Sequence, residues 1–266
     1  MSEWSAELDL ALTIADAADQ VTMGHYLSRD LRVDTKPDRT PVTEADQAAE
    51  QTIRQLLTEH RPGDQILGEE FGTEDSDSDR RWIIDPIDGT ANYLRGVPIW
   101  CTLIALEVAG QPVVGVASAP ALGRRWWAAA GAGAYTRDVD GSQRALHASG
   151  IADLADASFS FSDERGWAER GAAAGLRDLI EKCWRTRGYG DFLSHVLVAE
   201  GAIDIAAEPY LAPWDMAALA PIITESGGSM TAFDGSDPLT GLSAVTTNGH
   251  LHELVLTMLR TGPLNQ

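Results

Sequence analysis

The sequence predicts a layered α/β protein of 266 residues built in two halves. Three observations carry that expectation. Amphipathic helical patterns open the chain. Apolar runs split by tight turns follow, as in an antiparallel sheet. From about Ala145 onward, short apolar runs alternate with helical patterns, as in α/β layers. The length allows one large or two modest cores. We expect an N-terminal α+β lobe over 1–145, a C-terminal α/β lobe over 146–266, and a site at their boundary.

The elements follow in order. Leu8, Leu12, Ala15, Ala18 and Val21 recur at helical spacing, predicting a helix over Ser5–Leu27. Lys36–Pro41 is rich in turn formers and reads as a loop. Thr43 with Asp46 three positions later resembles a capping box opening a helix to about Glu59. Gln65–Gly68 is a short strand running into Glu69 and Glu70, and Glu74–Asp79 is a solvated acidic loop. Arg81–Ile84 is a buried strand whose ladder pairing Pro86 is expected to stop. Trp100–Val108 and Val113–Ser118, split by Gly110-Gln111-Pro112, pair antiparallel, and Arg125–Ala129 and Gly133–Thr136 extend the sheet. In the second half, strands are expected at Ala157–Ser162, Ile203–Ala207 and Ala244–Thr247. Helices are expected at Trp167–Cys183, Asp191–Glu200, Trp214–Ser226 (stopped by Gly227-Gly228) and His250–Leu259.

Composition narrows the function. No run of eighteen apolar residues exists, so no membrane span is expected. The acidic N-terminus, Met1-Ser2-Glu3-Trp4, lacks a signal pattern, and a cytoplasmic location is the default. A formal charge of −20, from 40 acids against 20 bases, argues against nucleic-acid binding, which needs a basic footprint. An anionic substrate would be repelled too, unless bound cations became the largest charges in its site. Cys101 and Cys183 form no CxxC pattern and read as buried, reduced core residues.

The chemistry concentrates in Trp82-Ile83-Ile84-Asp85-Pro86-Ile87-Asp88-Gly89-Thr90. An apolar run ends in two carboxylates three residues apart, followed by Gly and Thr. Carboxylates converging beside a hydroxyl are costly without a cation between them. The set suits a hard divalent metal such as Mg²⁺, which shares oxygen ligands with substrate phosphate. Other segments offer partners: Gly68-Glu69-Glu70 after a strand, Asp46 in a helix's first turn, Trp214-Asp215 at a helix start, and Lys36-x-Asp38 in a loop.

With these residues the chain resembles the inositol monophosphatase family of Mg²⁺-dependent phosphatases over nearly its whole length. The matching motifs are Lys36 with Val42-Thr43-Glu44-Ala45-Asp46, Gly68-Glu69-Glu70, Asp85-Pro86-Ile87-Asp88-Gly89-Thr90-x-Asn92-Tyr93, and Trp214-Asp215 with Gly227-Gly228. The resemblance implies an αβαβα sandwich, a homodimer, and two to three Mg²⁺ ions. It implies that Glu69, Asp85 and the Ile87 carbonyl hold the first ion, that Asp85, Asp88 and Asp215 hold the second, and that Asp46 and Glu69 hold a weaker third. Thr90 with Asp46 would orient and deprotonate water, Gly89 and Thr90 N–H groups would grip phosphate, and Glu70 would support from behind the ligands. A phosphate monoester is the implied substrate.

Substrate choice is expected from the second half. Glu208 lies seven residues before Asp215, where family members place a substrate-contacting acid, and Asp191 lies in Arg187-Gly188-Tyr189-Gly190-Asp191-Phe192 near the expected pocket. Arg187, Asp191 and Glu208 are therefore candidate substrate contacts. Two acids facing the non-phosphate end favour a substrate with a cationic end. Runs such as Arg95–Leu106, Ser118–Trp127 and Leu197–Asp204 are similar to the histidinol-phosphatase branch. The expectation is a histidinol-phosphate phosphatase of histidine synthesis. Inositol-1-phosphate or broader sugar phosphatases are alternatives, as is a protein-binding scaffold that keeps the fold. A 3′-phosphoadenosine substrate would want a basic pocket. His250-x-His252 reads as a solvated helix start rather than a metal pair, and Trp126-Trp127 as core or interface.

Overall fold

The computed structural model describes residues 3–28, 32–35, 41–74, 76–162 and 164–260. The N-terminal segment contains α1 (Ser5–His25), β1 (Val33–Thr35), β2 (Pro41–Thr43) and α2 (Glu44–His60). A strand-rich stretch follows: β3 (Gln65–Gly68), β4 (Gly72–Glu74), β5 (Arg80–Asp88), α3 (Thr90–Leu94), β6 (Cys101–Val108), β7 (Gln111–Ala119), β8 (Arg124–Ala129), β9 (Gly133–Arg137) and β10 (Gln143–Ala145). Next come β11 (Ser158–Phe161), α4 (Glu164–Glu169), α5 (Ala173–Lys182), β12 (Arg185–Thr186), α6 (Asp191–Ala199) and β13 (Ile205–Glu208). The chain finishes with α7 (Pro213–Ala217), α8 (Leu219–Glu225), β14 (Ser229–Thr231), α9 (Pro238–Gly241), β15 (Ala244–Thr247) and α10 (His252–Arg260).

Two main sheets and three helical layers alternate, and β1 and β2 form a separate two-stranded ribbon. The large sheet has eight strands in the order β10-β9-β8-β7-β6-β5-β3-β4, antiparallel except where β3 runs parallel to β5. The second has five, in the order β12-β11-β13-β15-β14. Side-chain alternation builds the layers, because successive residues of a strand face opposite sides. Trp82, Ile84, Ile104 and Leu106 pack under α1 and α2 with Leu10, Ile14, Ile53 and Leu57. Ile83, Leu103 and Ala105 face the other way, into a core shared with Phe192, Val196, Met216 and Ile222 of α6–α8. That middle layer also meets Ala206 and Ala244 of the small sheet. The small sheet's other face, with Phe159, Ile205 and Val245, packs on Leu176, Leu179, Val255 and Leu256 of α5 and α10. The result is the expected αβαβα sandwich.

The departures have local causes. The helix expected over Trp167–Cys183 breaks at Gly171, which adopts φ +76° between α4 and α5. The helix expected over Trp214–Ser226 is two abutting helices, α7 and α8. Pro221 has no N–H for the Ala217 carbonyl, which opens the ladder there. β1, β2, β4, β10, β12 and β14 are too short to stand out in a sequence; β1 and β2 pair with each other, and the rest pair with longer neighbours. Trp126 and Trp127 are core residues facing opposite layers. Cys101 and Cys183 are buried and free. His252 corrects an expectation: it is buried, not solvated, with its ring nitrogens 3.0 and 3.1 Å from the hydroxyls of Thr231 and Thr247, tying α10 to β14 and β15. No helix among the described residues is long and apolar enough to cross a membrane.

Candidate active site

The site begins where β3 ends beside Ile84 of β5. Glu69 N–H donates to the Ile84 carbonyl at 3.2 Å, continuing the parallel pairing. Pro86 does not end β5, contrary to expectation. Asp85 pairs with Leu103 and Asp88 with Cys101, so Pro86 and Ile87 together oppose Thr102. This is a β-bulge, one extra residue on one strand. Its consequence is geometric. Positions i and i+3 of a regular strand face opposite sides, and one inserted residue restores them to the same side. The bulge is fixed by Thr102 Oγ1 donating to the Pro86 carbonyl at 2.8 Å and Ile87 N–H donating to Asp85 Oδ1 at 3.0 Å. Gly89 then turns into α3 with φ +85°, and a Cβ there would come within 3.2 Å of an Asp191 oxygen.

Asp215 arrives from the middle layer. Pro213 starts α7, and Asp215, the third helical residue, accepts the Ala212 N–H on Oδ2 at 2.7 Å. Asp85, Asp88 and Asp215 each present an oxygen, and these oxygens all lie within 4.8 Å of one another. Burial, followed by the charges of Glu69, Asp88 and Asp215, pushes the Asp85 carboxyl well above its usual range. Burial, then Asp191 and Asp215, does the same to Asp88. Asp215 is pushed up to about 7 by burial, against its Ala212 hydrogen bond, with Glu69 and Glu208 adding to the rise. Three oxygen donors that repel one another and contain no sulfur or nitrogen fit a hard divalent cation.

Asp46 lies fully buried beside this cluster and serves two purposes. Its Oδ2 accepts Thr43 N–H at 2.8 Å and the Thr43 hydroxyl at 2.5 Å, completing the expected capping box. Its Oδ1 faces the Thr90 hydroxyl at 3.3 Å, and that hydroxyl lies 3.1 Å from the Ile87 carbonyl. Burial raises the Asp46 carboxyl against those Thr43 bonds, and the charge of Glu69 adds to the rise.

Glu50 is a residue that sequence reasoning missed. It is fully buried on α2, one turn after Asp46, and pairs with Arg54 at 2.7 Å. Its oxygens accept Glu70 N–H at 2.7 Å and Phe71 N–H at 3.2 Å, clamping the turn that carries Glu69 and the half-buried Glu70. Gly68 leaves room for this clamp, since a Cβ there would sit 2.0 Å from Glu50 Oε1.

A cavity of about 220 Å³ opens beside the acids, lined by Asp88, Asp191, His195, Glu208, Tyr210 and Asp215 among others. Asp191 begins α6 in the left-handed region, with φ +47°. Asn92 of α3 holds it, donating Nδ2 to Asp191 Oδ2 at 2.7 Å and to the Ile99 carbonyl at 2.9 Å. Phe192 N–H donates to Asp88 Oδ2 at 2.9 Å, so the start of α6 is tied to the metal-type cluster. Burial, then the charge of Glu208, pushes Asp191 up to about 6. Arg187 is not brought to this cavity: it is exposed, with Nη1 donating to its neighbour's carbonyl, Thr186 O, at 2.6 Å. The loop after β12 carries it outward. Lys36 and Asp38 lie outside the described residues. His252 sits away from the acids, on the Thr231 and Thr247 hydroxyls.

A histidinol-phosphatase of Mycobacterium tuberculosis is 54% identical over 257 residues, covering 96% of this chain and 98% of that protein. A histidinol-phosphatase of Streptomyces coelicolor is 51% identical over 270 residues, covering 100% of this chain and 99% of that protein. A crystal structure of the extragenic suppressor protein suhB from Bartonella henselae superposes with a TM-score of 0.88 at 30% identity, covering 97% of this chain and 100% of that one. The sequence profile of the inositol monophosphatase family matches residues 4–263, and the chain belongs to that family.

Proposed function

We propose that the protein is a Mg²⁺-dependent phosphatase that hydrolyses histidinol phosphate to histidinol and phosphate, a step of histidine synthesis. One observation carries the substrate choice. Asp191 and Glu208 lie outside the Asp85–Asp88–Asp215 cluster yet line the same cavity, so two carboxylates face whatever is attached to the phosphate. An amine and an imidazole suit them. The full-length similarity to two proteins named histidinol-phosphatase supports the same choice.

In this reading Asp85, Asp88 and Asp215 hold one ion, Glu69, Asp85 and the Ile87 carbonyl a second, and Asp46 with Glu69 a weaker third. Bound Mg²⁺ supplies positive charge for the phosphate oxygens and acidifies water. Thr90 orients the attacking water and Asp46 receives its proton, through the hydroxyl–carboxylate pair described above. The N–H groups of Gly89 and Thr90 bind the phosphate, and Glu70 supports Glu69 from the clamped turn. Water attacks directly. The nearest thiol, Cys101, is no nucleophile, because burial and the surrounding carboxylates push it well above its ordinary range. The 1–145 lobe carries most ligands, and the 146–266 lobe supplies Asp215, Asp191 and Glu208. Arg187 is assigned no substrate role. A cytoplasmic homodimer completes the reading.

Phosphate release with Mg²⁺ from histidinol phosphate, inositol-1-phosphate, fructose-1,6-bisphosphate and a 3′-phosphoadenosine compound tests it. Histidinol phosphate should lead in kcat/KM. A lead for inositol-1-phosphate would retain the metal chemistry and discard the role given to the second-half acids. No turnover on any of them would favour a scaffold.

A further inference from the structure

His195 belongs to no motif, and nothing above gives it a task. It lies on α6 at 1% exposure, among the residues that line the acidic cavity. Its Nδ1 is 2.8 Å from the Thr246 hydroxyl of β15. Its Nε2 has no hydrogen-bond partner, although it is buried and stands 3.5 Å from Glu208 Oε1. A buried polar atom left unpaired is costly.

The neighbours decide which nitrogen carries the proton. Were Nδ1–H to donate to Thr246, the Nε2 lone pair would face a carboxylate and be repelled. With the Thr246 hydroxyl donating to Nδ1, Nε2 carries the hydrogen and aims it at Glu208. The chain Thr246 Oγ1–His195–Glu208 thus runs from β15 through α6 to the end of β13, with one polarity.

We propose that His195, oriented by Thr246, is a positioning residue for substrate specificity: it fixes Glu208 so that the remaining carboxylate oxygen receives the cationic end of the substrate. This rests on the histidinol-phosphate reading. Without the N–H, Glu208 would be a carboxylate near Asp191 and Asp215 with no donor on it, free to turn from the ligand. His195 touches neither the phosphate nor the reacting atoms in this scheme, so it acts on the organic end only.

The experiment compares wild type with His195→Leu, His195→Gln and Thr246→Val. Each is assayed for KM and kcat on histidinol phosphate, for the Ki of inorganic phosphate, and for thermal melting. Inorganic phosphate occupies only the metal end and serves as the internal control. His195→Leu should raise KM for histidinol phosphate about tenfold or more, the scale of a lost hydrogen bond to a charged group. Its kcat should stay within about threefold and its phosphate Ki within about twofold. His195→Gln, which retains a donor, should recover most of the KM. Thr246→Val should shift KM the same way by a smaller factor, and it carries the test with His195→Gln if the leucine variant fails to fold. KM and phosphate Ki rising together, no rescue by glutamine, or an unchanged KM would each overturn the inference. A wild type that does not favour histidinol phosphate takes down the functional reading as well. A wild type that does, with the KM for histidinol phosphate unchanged in the variants, takes down this inference alone.

Discussion

The Asn92 side-chain amide donates to the Asp191 carboxylate at 2.7 Å, joining residues 99 positions apart. Through this bond α3, which follows the Asp85–Asp88 bulge, fixes the first residue of α6, which lines the cavity. The substrate-facing acid is therefore held by the same segment that follows the metal-type cluster. Asp191→Asn tests its charge cleanly, because Asn tolerates the left-handed backbone at this position and keeps an oxygen for Asn92. KM for histidinol phosphate should rise by about 10-fold to 100-fold. KM for inositol-1-phosphate should change much less. Equal losses on the two substrates would undo the argument from a cationic end.

Asp88→Asn removes one of three converging carboxylates. Mg²⁺ affinity, read by calorimetry, and phosphate release should both collapse, the latter by at least about 100-fold. Retained turnover would mean that the cluster is structural.

The Glu50 clamp predicts a coupled loss. Glu50→Ala leaves the Arg54 Nε–H and two backbone N–H groups without that acceptor. It should cost about 3 kcal/mol in a urea melt and weaken Mg²⁺ binding by about 10-fold or more as the Glu69 turn loosens. A destabilised variant with unaltered metal affinity would separate Glu50 from the site.

Without metal, the protein should lose stability as pH rises. Asp191 and Asp215 are pushed up to about 6 and about 7, and Asp85 and Asp88 well above their ordinary range, chiefly by burial. The unfolded chain releases these protons near the ordinary carboxyl value of 3.8, whereas the folded protein retains them to higher pH. Stability is then full below the lower value and declines as pH passes the folded one. His252, which burial holds neutral, acts in the opposite sense and is outnumbered. Thermal melts in EDTA at about pH 6 and about pH 8 should show the lower Tm at pH 8, with Mg²⁺ narrowing the gap. A higher Tm at pH 8 in EDTA would contradict this.

The acids of the site were legible because each sits beside a local signal. Asp46 completes a capping box, Glu69 follows a strand, Asp85 and Asp88 frame Pro86, and Asp215 opens a helix after a proline. The layers were legible because strands buried on both faces read as continuous apolar runs. What escaped depends on partners distant in sequence. Glu50 has the spacing of an ordinary helix-surface acid and is buried only because the turn after β3 lies over it. His195 acquires its role from Thr246 and Glu208, on two other elements. The bulge is a relation of β5 to β6, invisible in either strand alone.

That bulge makes the site a matter of length as well as composition. Losing one codon at Pro86 or Ile87 would leave every acid of the cluster in the chain. The two aspartates would then stand two positions apart and still share a face by ordinary alternation, but the bulge would be gone, and with it the backbone bonds of Pro86 and Ile87 that set the distance between the two carboxylates. Across descendants of this chain, the spacing between the two aspartates should drift less than any loop, even where individual residues between them are exchanged.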